Sequence, residues 1–220
     1  MKRFATLLLI GLVCYVNIQA QSAPPFWADI TAFKKSDSTH KIAERTILFV
    51  GSSSFTKWKE LSTDFPGFPV LNRGFGGSTL LEVIRYAYDI IIPYNPKQVI
   101  IYCGENDLAS ADSISVSEVV KRVKTLYGII RTNLPDATID FVSIKPSPVR
   151  ASIQGKVKAA NKEIKAFFKG QKRAAFIDIY AAMLDEQGEM REELYVSDRL
   201  HMKPEGYAIW KRIIEPYLIK

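Results

Sequence analysis

Residues 46–58 read TILFVGSSSFTKW, and this stretch decides how the rest of the chain is interpreted. Ile47 to Val50 form an unbroken apolar run that ends on Gly51 and three serines, and a short helical pattern follows. An apolar run of this length, closed by glycine, predicts a buried central strand. In open α/β sheets the reacting groups sit just beyond the carboxyl ends of such strands. Gly51 lets the chain turn sharply, and one of the serines is then presented at a helix N-terminus, where the amide dipoles favour developing negative charge. That is a position suited to a nucleophile, although Gly-Ser turns also occur in ordinary loops.

Working outward, four further strands are expected at about residues 69–73, 97–103, 138–144 and 174–180. Helical patterns lie between them. Thr79 with Glu82 and Ser115 with Glu118 have the spacing of capping boxes. Leu80, Val83, Ile84 and Ala87 follow the first, and Val116, Val119, Val120, Val123, Tyr127 and Ile130 the second, each forming the stripe that buries one helix face. Pro93, Pro96 and Pro135 are expected to stop these helices. Ahead of the first strand, Phe26, Trp27, Ile30 and Phe33 predict an N-terminal helix, with Lys34 to Lys41 as a polar connection. Strands that are apolar almost throughout and alternate with helices imply parallel pairing with helices on both faces. The expected fold is therefore α/β, a single-domain three-layer α/β/α sandwich on a five-stranded parallel sheet, flavodoxin-like in the order 2-1-3-4-5. Its crevice opens between strands one and three, so GSSS and GEND should face each other.

The 220 residues, 47% hydrophobic and 24% charged, suit one well-buried domain. Residues 1–20 resemble a signal peptide: Lys2 and Arg3, an apolar core from Leu7 to Val16, and Ala20 before a cut. That core is shorter than the about 20 residues that span a bilayer, so no stable membrane anchor is expected once it is removed. The domain is assigned to residues 21–220, with 21–45 as its lead and N-terminal helix, and an exported, periplasmic or secreted location is expected. Beyond the signal only Cys103 remains, which excludes a disulfide framework. Of the 30 basic and 23 acidic residues, Lys2 and Arg3 belong to the signal, leaving about five excess positive charges. The lysines at 156, 158, 162, 165, 169 and 172 interleave with Val157, Ile164, Phe167 and Phe168, which describes the wet side of an amphipathic helix and not a nucleic-acid surface.

Three blocks complete the chemistry. Gly74, Phe75, Gly76, Gly77 and Ser78 follow strand two, Gly104, Glu105, Asn106 and Asp107 follow strand three, and Asp198, Arg199, Leu200 and His201 precede the helix opener Pro204. Only two histidines occur, and His40 lies in the polar connection, so His201 is the candidate base. Asp198, three residues earlier, is placed to orient the imidazole and stabilise its charged form. The Gly77 amide, the Asn106 side chain and the Ser53 amide could donate to an oxyanion.

GSSS, GFGG, GEND and DRLH, in this order on these elements, resemble the four blocks of the SGNH hydrolases, also called the GDSL esterase/lipase family. The resemblance runs from about Thr46 to the final helix. It implies Ser53 as nucleophile, Gly77 and Asn106 as oxyanion donors, and Asp198 and His201 as the acid and base. It implies a serine esterase cleaving carboxylic esters, with short acyl groups on carbohydrates among its substrates, and no cofactor. Ser52 stands where the family usually has Asp, and Arg199 where a glycine is common. Arg199 could narrow the site or bring a positive charge to it, and Arg73, Lys57 and Lys145 could lie near the crevice, either solvated or binding a negatively charged substrate. Two other readings of the same blocks are a metal-dependent phosphoesterase using Glu105, Asp107, Asp198 and His201, and a carbohydrate-binding protein without chemistry. The acyl and alcohol parts of the substrate and the oligomeric state have no readable pattern.

Overall fold

The computed structural model describes residues 23–220; the expected signal peptide lies outside the described residues. Five parallel strands form one sheet: β1 Ile47–Gly51, β2 Val70–Gly74, β3 Gln98–Tyr102, β4 Thr138–Val142 and β5 Ala174–Ile177. Their spatial order is β2-β1-β3-β4-β5, as expected, and Gly51 at the end of β1 lies in register with Gly74 and Tyr102. The order reverses between β1 and β3. The loops leaving these two strands therefore diverge to opposite sides and leave a crevice at their carboxyl ends.

Side-chain alternation builds the three layers. Leu48 and Val50 of β1, with Val99 and Ile101 of β3, enter one apolar cluster. Ile47 and Phe49, with Ile100 and Tyr102, enter the other. The first cluster is closed by α1 Trp27–Thr39, α4 Leu80–Arg85, α5 Ala87–Ile90, α7 Val116–Asn133 and α8 Gln154–Lys169. The second is closed by α2 Ser53–Thr56, α3 Leu61–Asp64 and α9 Pro204–Ile214, on an aromatic centre of Phe49, Phe55, Trp58 and Trp210. One further helix, α6 Glu105–Ser110, follows β3. The lysines of α8 lie outward, while Val157, Ala160, Ile164 and Phe168 are buried. Cys103 is a free, buried thiol.

Several local expectations are corrected. Residues 34–39 are not a connection: α1 continues through Thr39, because Ser38 and Thr39 donate to carbonyls one turn back and Asp37 turns inward to Arg73. The Thr79–Glu82 capping box forms in full, whereas Ser115 accepts from the Glu118 amide but Glu118 turns to Arg122 instead of back to the cap. The helix after Thr79 breaks at Tyr86 into α4 and α5, and Pro93 sits inside a short 3-10 turn. Below the sheet, Gln98 donates to Asp140 at 2.6 Å and to the Tyr217 carbonyl at 2.8 Å, tying the C-terminal segment to β3 and β4. Burial raises the Asp140 carboxyl to about 6, against the lowering effect of its bonds from Gln98 and the Ala175 amide.

Candidate active site

Gly51 ends β1 with φ of 139°, a conformation that admits little but glycine. A Cβ there would stand 1.9 Å from the Tyr102 carbonyl oxygen, so the tight passage between β1 and β3 also demands it. Ser52 is the N-cap of α2 and Ser53 its first residue. Ser52 and Ser54 are buried, at 5% and 3% exposure, whereas Ser53 is partly exposed. Of the three serines, only Ser53 offers its hydroxyl to the crevice.

From the far end of the chain, His201 Nε2 comes to 3.0 Å from Ser53 Oγ. His201 Nδ1 is 2.6 Å from Asp198 Oδ2, and Asp198 Oδ1 accepts from the Leu200 and His201 amides at 2.9 and 2.8 Å. Slight burial would raise the Asp198 carboxyl, but these amide bonds and the imidazole outweigh it and bring it down to about 2. The loop that carries both residues is pinned by the Tyr195–Met202 bridge and by the Val196 amide donating to the His201 carbonyl. Arg199 inside it has φ of 56°, which gives a physical reason for the family's glycine at this point. Its guanidinium is held by Glu192.

Asn106 is the second residue of α6, which follows Gly104, whose φ is 114°. Its Nδ2 donates to Ser52 Oγ at 2.8 Å and to the Ser78 carbonyl at 3.0 Å. Ser52 thus occupies the family's Asp position as an acceptor for the asparagine. Gly76 and Gly77 are both exposed, and among the described residues neither amide has an acceptor. A Cβ on Gly76 would lie 3.8 Å from Ser53 Cβ, so the bare glycine keeps space beside the serine. Gly77, with φ of 86°, lies against the Phe26 ring.

The remaining acids do not converge on His201. Asp107 is fully buried, accepting from the Leu80 amide at 2.9 Å and pairing with Arg122 at 2.8 Å. Glu105 receives Tyr102 and Lys145 on Oε2 at 2.8 and 2.7 Å, and Arg150 Nη1 stands 3.2 Å from Oε1. Burial would raise the Glu105 carboxyl, yet the Lys145 and Arg150 charges hold it below its ordinary value. Among the described residues no three His, Cys, Asp or Glu side chains form a metal-ligand cluster.

Of the four cations singled out in the sequence, Lys145 is buried beneath the site and Lys57 is exposed on the turn after α2. Arg73 is instead a structural residue of β2, bound to Asp37 and Tyr94 and stacked on Phe33. The residue that pattern reading missed is Arg150, whose Nη2 donates to Asn106 Oδ1 at 2.9 Å. Its only sequence signal is position: it follows Pro146 and Pro148 in the segment after β4, on the same edge of the sheet as GSSS and GEND.

The sequence pattern of the GDSL-like Lipase/Acylhydrolase family matches residues 39–209. The fold is similar to that of a GDSL-like lipase from Bacteroides thetaiotaomicron, at a TM-score of 0.73 and 21% identity over 86% of this chain and 97% of that one. It is also similar to an acetylxylan esterase from Geobacillus stearothermophilus, at 0.63 and 15% identity over 80% and 94%. A lipase/acylhydrolase from Enterococcus faecalis gives 0.60 and 21% over 80% and 97%. No curated protein matches the sequence.

Proposed function

Because the chain belongs to the GDSL-like lipase/acylhydrolase family, we propose that it is a serine esterase that releases short acyl groups, with acylated carbohydrate as its substrate class. Ser53 Oγ attacks the ester carbonyl carbon while His201 Nε2 takes its proton. The carbonyl oxygen becomes an oxyanion held by the Ser53 and Gly77 amides and Asn106 Nδ2. Collapse of the intermediate expels the alcohol, which receives the proton from His201 and leaves the acyl group on Ser53. Water, deprotonated by His201, then releases the carboxylic acid and restores the serine. Asp198 keeps the Nδ1 proton facing it and stabilises the imidazolium at each stage.

The observation that carries this reading is the unbroken chain Asp198 Oδ2, His201 Nδ1, His201 Nε2, Ser53 Oγ, with contacts of 2.6 and 3.0 Å. Glycine at 76 leaves the nucleophile approachable, which suits an ester borne on a bulky alcohol such as a sugar chain. The leader-like residues 1–20 support export, where such carbohydrate would be met. The test is hydrolysis of p-nitrophenyl acetate, then of acetylated xylo-oligosaccharides, by wild type and Ser53→Ala, each with and without chelator. Turnover that Ser53→Ala abolishes and chelator leaves intact is expected. Turnover that survives Ser53→Ala would overturn the assignment.

A further inference from the structure

Resting on that reading, we propose that Arg150 is the positioning residue of the oxyanion site, fixing the orientation of the Asn106 amide and strengthening its N–H donors. An asparagine side chain is nearly symmetric in shape, and a half-turn about its last bond exchanges donor for acceptor. In an oxyanion site that exchange is ruinous, since it turns a carbonyl oxygen toward the developing negative charge. The neighbours of Asn106 forbid it. Guanidinium offers donors only, so the edge of Asn106 that meets Arg150 Nη2 at 2.9 Å must be Oδ1. The Ser78 carbonyl accepts only, so the edge that meets it at 3.0 Å must be Nδ2.

A charged donor on Oδ1 also draws electron density through the amide and makes the Nδ2 hydrogens better donors, as bonds in a chain reinforce one another. In the resting site those hydrogens serve Ser52 Oγ and the Ser78 carbonyl. A substrate oxygen would have to displace one of these two acceptors to be bound.

Arg150 is itself held in place. Its second nitrogen forms an ion pair, without hydrogen-bond geometry, with Glu105 Oε1 at 3.2 Å, the carboxylate oxygen not taken by Lys145 and Tyr102. Glu105 directly precedes Asn106, so one guanidinium spans two neighbouring residues of the α6 turn. Lys145, 1% exposed, balances the second half of the carboxylate from the loop after β4 that also carries Arg150. The Arg150 amide donates to the Ser147 carbonyl at 2.8 Å, and the Val149 amide donates to the Arg199 carbonyl at 3.2 Å. The same loop therefore touches the oxyanion donor on one side and the turn between Asp198 and His201 on the other.

The experiment is a double-mutant cycle on p-nitrophenyl acetate with Arg150→Met, Asn106→Ala and the pair, beside Ser53→Ala. Arg150→Met is expected to lower kcat about 10- to 100-fold with KM within about twofold. The pair should be no slower than Asn106→Ala alone, because the arginine acts through that amide. Guanidinium chloride at tens of millimolar should restore part of the rate lost in an Arg150→Ala variant and none when Arg150→Ala is combined with Asn106→Ala. Arg150→Lys, which keeps the charge but not the fork, gives the same comparison if the other variants do not fold, and should again slow kcat only where Asn106 is present. Effects of the two sites that multiply, or a loss confined to KM, would overturn the proposal while leaving the esterase intact. Survival of turnover in Ser53→Ala would instead strike at the esterase reading itself.

Discussion

Ser53 Oγ and His201 Nε2 lie 3.0 Å apart, although 148 positions separate them in the chain. The contact joins the turn after the central strand to the last loop before α9. Replacing Ser53 or His201 with alanine should lower kcat by on the order of 10⁴ or more. Both side chains are at least partly exposed, so the thermal melt should stay within a few degrees of wild type. A variant that loses its melt along with its rate would make the contact structural.

Asp198→Asn should cost about 10³ to 10⁴ in kcat, because an amide facing Nδ1 favours the wrong imidazole tautomer. With the carboxyl held down at about 2, its protonation should leave no inflection in kcat/KM above about pH 3 in wild type. A pH profile on a short-chain ester checks both statements. An inflection near pH 4 that vanishes in Asp198→Asn would contradict the second.

Removing the oxyanion donor in Asn106→Ala should lower kcat about 10²- to 10³-fold. Steady-state kinetics with an unchanged kcat would take Asn106 out of the mechanism.

Arg73→Ala should separate stability from chemistry. Its loss leaves Asp37 and Tyr94 without their cation in a mostly buried setting, a change worth about 3 kcal/mol. Urea unfolding should shift accordingly, while kcat/KM of the folded protein stays at the wild-type value. A fall in kcat/KM without a shift in midpoint would return Arg73 to the crevice.

Asp140 gives a pH dependence of definite sign. Its carboxyl, about 1% exposed, holds its proton more tightly in the fold than in the unfolded chain. The stability it lends is therefore complete below about pH 4 and is lost as pH rises through about 6, a change of about 3 kcal/mol. Wild type should lose ground against Asp140→Asn between pH 4 and 7 in urea titrations. A difference that does not vary with pH would show that the carboxyl is ionised throughout.

The sheet was legible because its central strands β1 and β3 bury both faces: Ile47 to Val50 and Val99 to Tyr102 have almost no polar interruption, and that leaves parallel pairing under helices as the economical solution. The site blocks were legible because Gly51, Gly77 and Gly104 mark turns with positive φ beyond strand ends. Residues 34–39 were misread since a helix whose outward residues are serine, lysine and threonine carries the composition of a loop; only the long-range pairing of Asp37 with Arg73 reveals its inner face. Arg150, marked in the sequence only by its position after β4, was missed for a similar reason. Its partner Asn106 is 44 residues away, and a single arginine at the kink of the short 3-10 segment Pro148–Ile153 belongs to no period.

The wide separation of Ser53 from His201 also bears on how activity arises as the chain is made. When the central strand and its serine have left the ribosome, the base is still to be synthesised, and α9, whose Trp210 packs against Phe55 directly behind the nucleophile, comes later still. On the proposed mechanism, a chain that lacks His201 has no base for Ser53 and stays chemically silent. On that mechanism, ester turnover during synthesis would report the docking of the loop that carries Asp198 and His201 onto the turn after β1.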